Sequence, residues 1–132
     1  MSIEEAIKAY LLTKTGITSL VSTRILADEV TEGIAFPAIA YQKISDTKDH
    51  FLTGQSKLER PIFQYTAYAT TKTSARAIAD QIKLALVDYQ GTLSGIVIQK
   101  IELQNEMSNS ESDGSTRIHT EDLEFQINYV KE

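Results

Sequence analysis

The stretch HTEDLEFQINYV, residues 119–130, has the cleanest alternation in the chain. Leu123, Phe125, Ile127 and Tyr129 fall on one side of it, and Asp122, Glu124, Gln126 and Asn128 on the other. A period of two is that of a β-strand, whose successive side chains point to opposite faces. A strand with one apolar and one polar face belongs to an antiparallel sheet that packs on a core along one side only. Phe125 therefore reads as core, and Asp122 and Glu124 as a face that meets water or a polar partner.

Working outward, GIVIQKIELQNE (residues 95–106) is a second long strand, joined to the first by the polar run MSNSESDGST (107–116), which reads as a flexible loop. PIFQYTAYAT (61–70) is rich in aromatic and β-branched residues and reads as a strand. There Ile62, Gln64, Thr66 and Tyr68 share one face, and Phe63, Tyr65, Ala67 and Ala69 the other; neither face is simply polar, so both are expected to be partly covered. AIAYQKI (38–44) is another strand, with Pro37 at its start, where proline is tolerated. VTEGIAFP (30–37) reads as a loop, and a short strand is expected near residues 24–28.

Two helical stripes complete the pattern. Ser2 and Glu5 form a capping box, followed by Ile3, Ile7, Tyr10 and Leu11 at helical spacing, with Gly16 as the stop. ITSLVSTRI (17–25) predicts a further helical turn with Leu20 and Val21 inward. Thr73 and Ser74 are N-cap candidates for a helix whose buried stripe is Ile78, Ile82, Ala85, Leu86 and Tyr89, ended by Gly91. The expected fold is α+β: a mainly antiparallel sheet of four to five strands with two helices packed on one face.

Bulk properties set limits. A chain of 132 residues with 42% hydrophobic residues suits one domain, residues 1–132, with a single core. It has no cysteine, which excludes disulfides, thiol catalysis and cysteine-ligated zinc. No apolar run approaches the ~20 residues that span a bilayer, and the start lacks the pattern of a signal peptide, so no membrane partner and synthesis in a cytoplasm are expected. A net charge of −5, mixed along the chain, argues against a grip on nucleic acid, which needs clustered Lys and Arg.

Chemistry is sparse. His50 and His119 sit in no motif; His50 with Asp49 and Ser56 in one polar segment lacks the rigid scaffold a triad needs. NSESDG (109–114) mimics the start of a calcium loop, but its twelfth position is Thr120 rather than a bidentate glutamate. Phosphate-cradle motifs are absent. Asp122 and Glu124, alternate residues on a strand, stand nearly 7 Å apart and do not converge on a metal. No catalytic, cofactor-binding or metal site is expected, and the chain is expected not to be an enzyme.

Taken in order, SIEEAIKAYLLTKTGITSLVSTRI (2–25), FPAIAYQKIS (36–45), HFLTGQSKLERPIFQYTAYATTKTSARAIADQIKLAL (50–86) and DLEFQINYVKE (122–132) resemble the small phage tail completion proteins, also called tail terminators or tail-to-head joining proteins. The resemblance implies a virion structural protein without cofactors. It implies self-assembly into a ring, usually a hexamer, on the head-proximal end of a finished tail tube. The implied partners are the tail tube protein and a head-side connector or neck protein, with DNA only passing through the lumen. A small-molecule-binding regulatory module of α+β fold is the alternative, and it lacks an apparent set of convergent polar groups.

Within that reading, SDTKDHFLTGQSKLERP (45–61) is too long and polar for a hairpin loop, yet carries Phe51 and Leu52 at its middle. Residues 45–60 are expected to be a long mobile loop or two-stranded arm. His50, Phe51 and Leu52 at its tip, with Asp122 and Glu124, are the candidate oligomer and partner contacts.

Overall fold

A computed structural model describes residues 2–27, 36–51, 54–113 and 116–130, with the backbone alone for residues 45–51, 54–58, 111–113 and 116. Helix α1 (Ile3–Leu12) opens on the expected capping box: the Glu5 backbone N–H donates to Ser2 Oγ at 3.2 Å, and the Ser2 N–H donates to Glu5 Oε1 at 3.3 Å. That contact with Ser2 also holds the Glu5 carboxyl below its ordinary pKa. Helix α2 (Thr15–Val21) follows, with Ile17 and Val21 buried, and Gly16, expected as a stop, lies inside it. Then come β1 (Ile25–Ala27), β2 (Ala38–Phe51), β3 (Gly54–Ala69), α3 (Lys72–Leu86), β4 (Gly91–Leu93), β5 (Ile96–Asp113) and β6 (Thr116–Val130).

The class α+β is as expected, but the counts are corrected. The sheet has six strands in the order β1-β2-β3-β6-β5-β4, it is mixed because β1 runs parallel to β2, and three helices rather than two pack with it. The missed elements are short. Strand β4 is the three residues GTL that begin at Gly91, the expected helix end, too short to display a period. Helix α3 starts two residues earlier than a Thr73 cap implies and three earlier than a Ser74 cap: Thr71 is the N-cap, its Oγ1 accepting from the Ser74 N–H at 3.1 Å.

The largest correction concerns MSNSESDGST. Residues 107–113 are not a loop but the end of β5, paired with β6 from Met107↔Asp122 to Asp113↔Thr116. Polar composition reads as loop, yet the cross-strand ladder needs only backbone groups, and at a solvated hairpin end polar side chains cost nothing. The strands flanking residues 52–53 also run far: β2 and β3 pair from Ala38↔Tyr68 to Phe51↔Gly54, with register shifts between Lys43 and Ser45 and between Lys48 and His50. Leu52 and Thr53 lie outside the described residues, as do residues 30–35 of the expected loop at 30–37.

The core sits between the helices and one sheet face. Ile3, Ile7 and Leu11 of α1 and Ile78, Ile82 and Leu86 of α3 close on Tyr65, Phe63, Phe125 and their neighbours. Leu123, Phe125 and Ile127 are fully buried, as the alternation in β6 requires. Tyr65 stacks on Tyr41 at 5.7 Å and meets Phe125 edge-on at 6.0 Å. Burial pushes the Tyr65 phenol far above its ordinary pKa.

Candidate assembly interface

The face of the sheet away from the helices carries the candidate site. Strand β6 presents Asp122, Glu124, Gln126 and Asn128 there, all half-buried. Register sets their neighbours. Asp122 lies between Thr66 of β3 and Met107 of β5, and Glu124 between Gln64 and Asn105. Asp122, with Gln64, Thr66 and Thr120, lines a groove of about 430 Å³ on this face, running from Ala40 and Gln42 to Asn109 and Ser110; Glu124, Gln126 and Asn128 lie outside it.

The polar groups of the groove bond mainly to one another. Asn109 Nδ2 donates to Asp122 Oδ2 at 3.2 Å, Gln64 Nε2 donates to Thr66 Oγ1 at 3.3 Å, and Arg117 Nη1 donates to Ser110 Oγ at 3.2 Å. Groups satisfied in this way do not converge on an empty centre, as the polar groups of a small-molecule site do. Among the described residues no set of three or more His, Asp or Glu is placed to hold a metal ion. What the arrangement offers is a polar, hydrogen-bonding surface suited to a protein partner.

The predicted contacts fall into two separate regions. Asp122 and Glu124 are together on one face of β6. Phe51 pairs with Gly54 at the far end of the β2–β3 hairpin, ten residues along β3 from Gln64, the partner of Glu124, or about 33 Å. The side chains of His50 and Phe51, and Leu52 altogether, lie outside what the structure describes. His119 is half-buried at the start of β6, level with Ala69 and Ser110.

Two features escaped the sequence reading. Glu121 is buried at 3% exposure on the helix side of β6, where Ser108 Oγ donates to its carboxylate at 2.6 Å. Its parity, two residues before Leu123, places it inward, one step ahead of the apolar stripe. On α3, Lys83 Nζ meets Glu106 of β5 at 3.0 Å and Asp80 at 3.5 Å, and the bond to Glu106 raises its pKa. This pair fastens the helix to β5 across the edge of the core.

Comparison with known proteins fits this architecture. Residues 5–129 match the family described as Tail completion protein gp17. No curated protein matches the sequence. Among solved structures, a chain of the virion of a native gene transfer agent (GTA) particle aligns with a TM-score of 0.74 at 16% identity, covering 98% of this chain and 95% of that one. At that identity the likeness is one of fold.

Proposed function

The chain belongs to the Tail completion protein gp17 family and is a structural protein of the virion tail, and from that premise we propose that it closes the tail tube as a ring. The ring, a hexamer, sits on the head-proximal end of the finished tube, stops its polymerisation and offers a surface to the head-side connector. The carrying observation is the family match over residues 5–129. The geometry supports the reading. One sheet face is consumed by the core, and the other is a polar surface with no organised reactive set among the described residues.

Roles follow from position. Asp122 and Glu124, on the helix-free face, contact the tube protein or connector. His50, Phe51 and Leu52, at the end of the β2–β3 hairpin, reach onto a neighbouring copy. An acidic chain, net −5, lets DNA pass without gripping it. The protein turns over no substrate. Electron micrographs of tails assembled without it test the proposal: over-long or headless tails are expected, and tails of normal length joined to heads would overturn it.

A further inference from the structure

We propose that neighbouring copies in the ring join by antiparallel pairing of two unlike open strand edges, the outer edge of β2 in one copy with the outer edge of β5 in the next. The inference rests on the ring reading and supplies its contact.

Both outer strands of the sheet are three residues long. Strand β1 covers β2 only at Ile39–Tyr41, and β4 covers β5 only at Ile96–Ile98. One further bond, from the Asp88 N–H to the Ile101 carbonyl at 2.9 Å, extends the cover on β5. Among the described residues, no strand pairs with the outer side of β2 over residues 42–51 or of β5 over residues 102–113. A long open edge is a template for another strand. Each of these edges also carries an exposed large apolar side chain, Ile44 at 45% and Met107 at 44%.

Charge decides which edge meets which. Residues 102–113 contain Glu102, Glu106, Glu111 and Asp113 and no basic residue. Two such edges laid together would oppose carboxylates to carboxylates, which is destabilising in a strand pair. Residues 42–51 carry Lys43 and Lys48 beside Asp46 and Asp49 and are neutral overall, so the acidic edge meets no excess of carboxylates there. Unlike edges make a head-to-tail contact, and a head-to-tail contact closes into a ring or runs on as a helix.

The two open edges are staggered along the sheet. Lys48 is level, through Glu59, with Tyr129 of β6, whereas Ser108 is level with Glu121. Lys48 of one open edge and Ser108 of the other are thus eight residues apart along β6, or about 26 Å. One repeat of the ring is the four strands β2-β3-β6-β5, about 19 Å at ~4.8 Å each, so closure without a net rise tilts the strands from the ring axis. Strands β2 and β5 run in opposite directions, so the pairing is antiparallel.

The absence of native cysteine makes the test clean. Setting Lys48 opposite Ser108 puts Thr47 opposite Asn109 and Asp49 opposite Met107. A chain carrying Thr47→Cys and Asn109→Cys, and a second carrying Asp49→Cys and Met107→Cys, are assembled on purified tail tubes and mildly oxidised. A disulfide ladder ending at the ring's copy number in at least one of them is expected. A mixture of the two corresponding single variants should stop at dimers, and each single variant alone should stay uncross-linked. Rings that form with neither pair bridged, or single variants that bridge to themselves, overturn the edge pairing while leaving the ring intact. Absence of any ring with the unmodified chain on tubes overturns the ring reading itself, and the edge pairing with it.

Discussion

Replacing Phe125 by alanine separates the core face of β6 from its outward face. Phe125 is 0% exposed and lies between Phe63 of β3 and Leu103 of β5 in the registers, with Tyr65 edge-on at 6.0 Å. Removing the ring costs the transfer energy of the side chain and leaves a cavity, together about 3–5 kcal/mol. The upper half of that range applies because paired strands on both sides keep the backbone from closing on the void, and about 1 kcal/mol of aromatic pairing goes as well. With roughly 2.1 cal/mol/K of unfolding entropy per residue, a loss of 4 kcal/mol lowers the melting temperature by about 15 °C. Urea melts should show the lower midpoint with an unchanged slope, since the surface exposed on unfolding stays the same. The companion is the double change Asp122→Ala, Glu124→Ala on the other face. It forfeits the surface bond from Asn109 to Asp122 and should cost no more than about 0.5–1 kcal/mol, while impairing attachment to tails. Equal thermal losses in the two variants would refute the assignment of faces, and with it the groove as a contact surface.

Further outcomes follow from other contacts. Ser108→Ala deprives the buried Glu121 carboxylate of a hydroxyl donor at 2.6 Å and should cost about 1.5–3 kcal/mol in chemical denaturation; a shift below 0.5 kcal/mol would mean that water replaces the donor. Tyr65 has its phenol pKa raised by burial, so its contribution to stability is complete below about pH 10, the unfolded value, and is lost as pH climbs above it. Alkaline melts should therefore weaken past that point, and a Tyr65→Phe variant should hold its melting temperature further into alkali. Glu106→Gln removes the partner of Lys83 at a solvent-exposed site and should move stability by no more than ~1 kcal/mol, less at high salt. A Phe51→Ser, Leu52→Ser chain should fold normally and fail to form rings on tails, as native gels and electron microscopy would show.

The elements legible in the sequence are those whose burial repeats. Strand β6 has a strict period of two because one face is core along its length, and α3 shows its stripe because Ile78, Ile82 and Leu86 all meet the sheet. Where burial does not repeat, no pattern is written. Residues 107–110 are exposed and residues 111–113 lie beyond the end of β3, so Ser, Asn and Glu serve as well as Val. Strands β1 and β4 are a turn's worth of chain each and are fixed by their neighbours. The candidate site divides in the same way: Asp122 and Glu124 were found because alternation names the outward face, whereas the open edges are a property of strand order, and no local pattern reports which strand lies next to which.

This division places recognition away from the residues that make the fold. A core specified by parity and volume tolerates wholesale replacement as long as both are kept, and a virion chain with little sequence in common shares this architecture nearly end to end. What such chains need not share is whatever meets a partner. The positions proposed for that role in this protein are the helix-free face and the open halves of β2 and β5 among the described residues, none of which the core constrains. The two short outer strands matter for that reason. Had β1 and β4 run the full length of their neighbours, the sheet would present covered flanks over its whole height. Among the described residues they leave unlike halves uncovered at opposite ends, one acidic and one bearing lysine. Identical halves would permit a closed pair that satisfies both edges at once, whereas unlike halves leave every added copy with one edge still open until the ring closes.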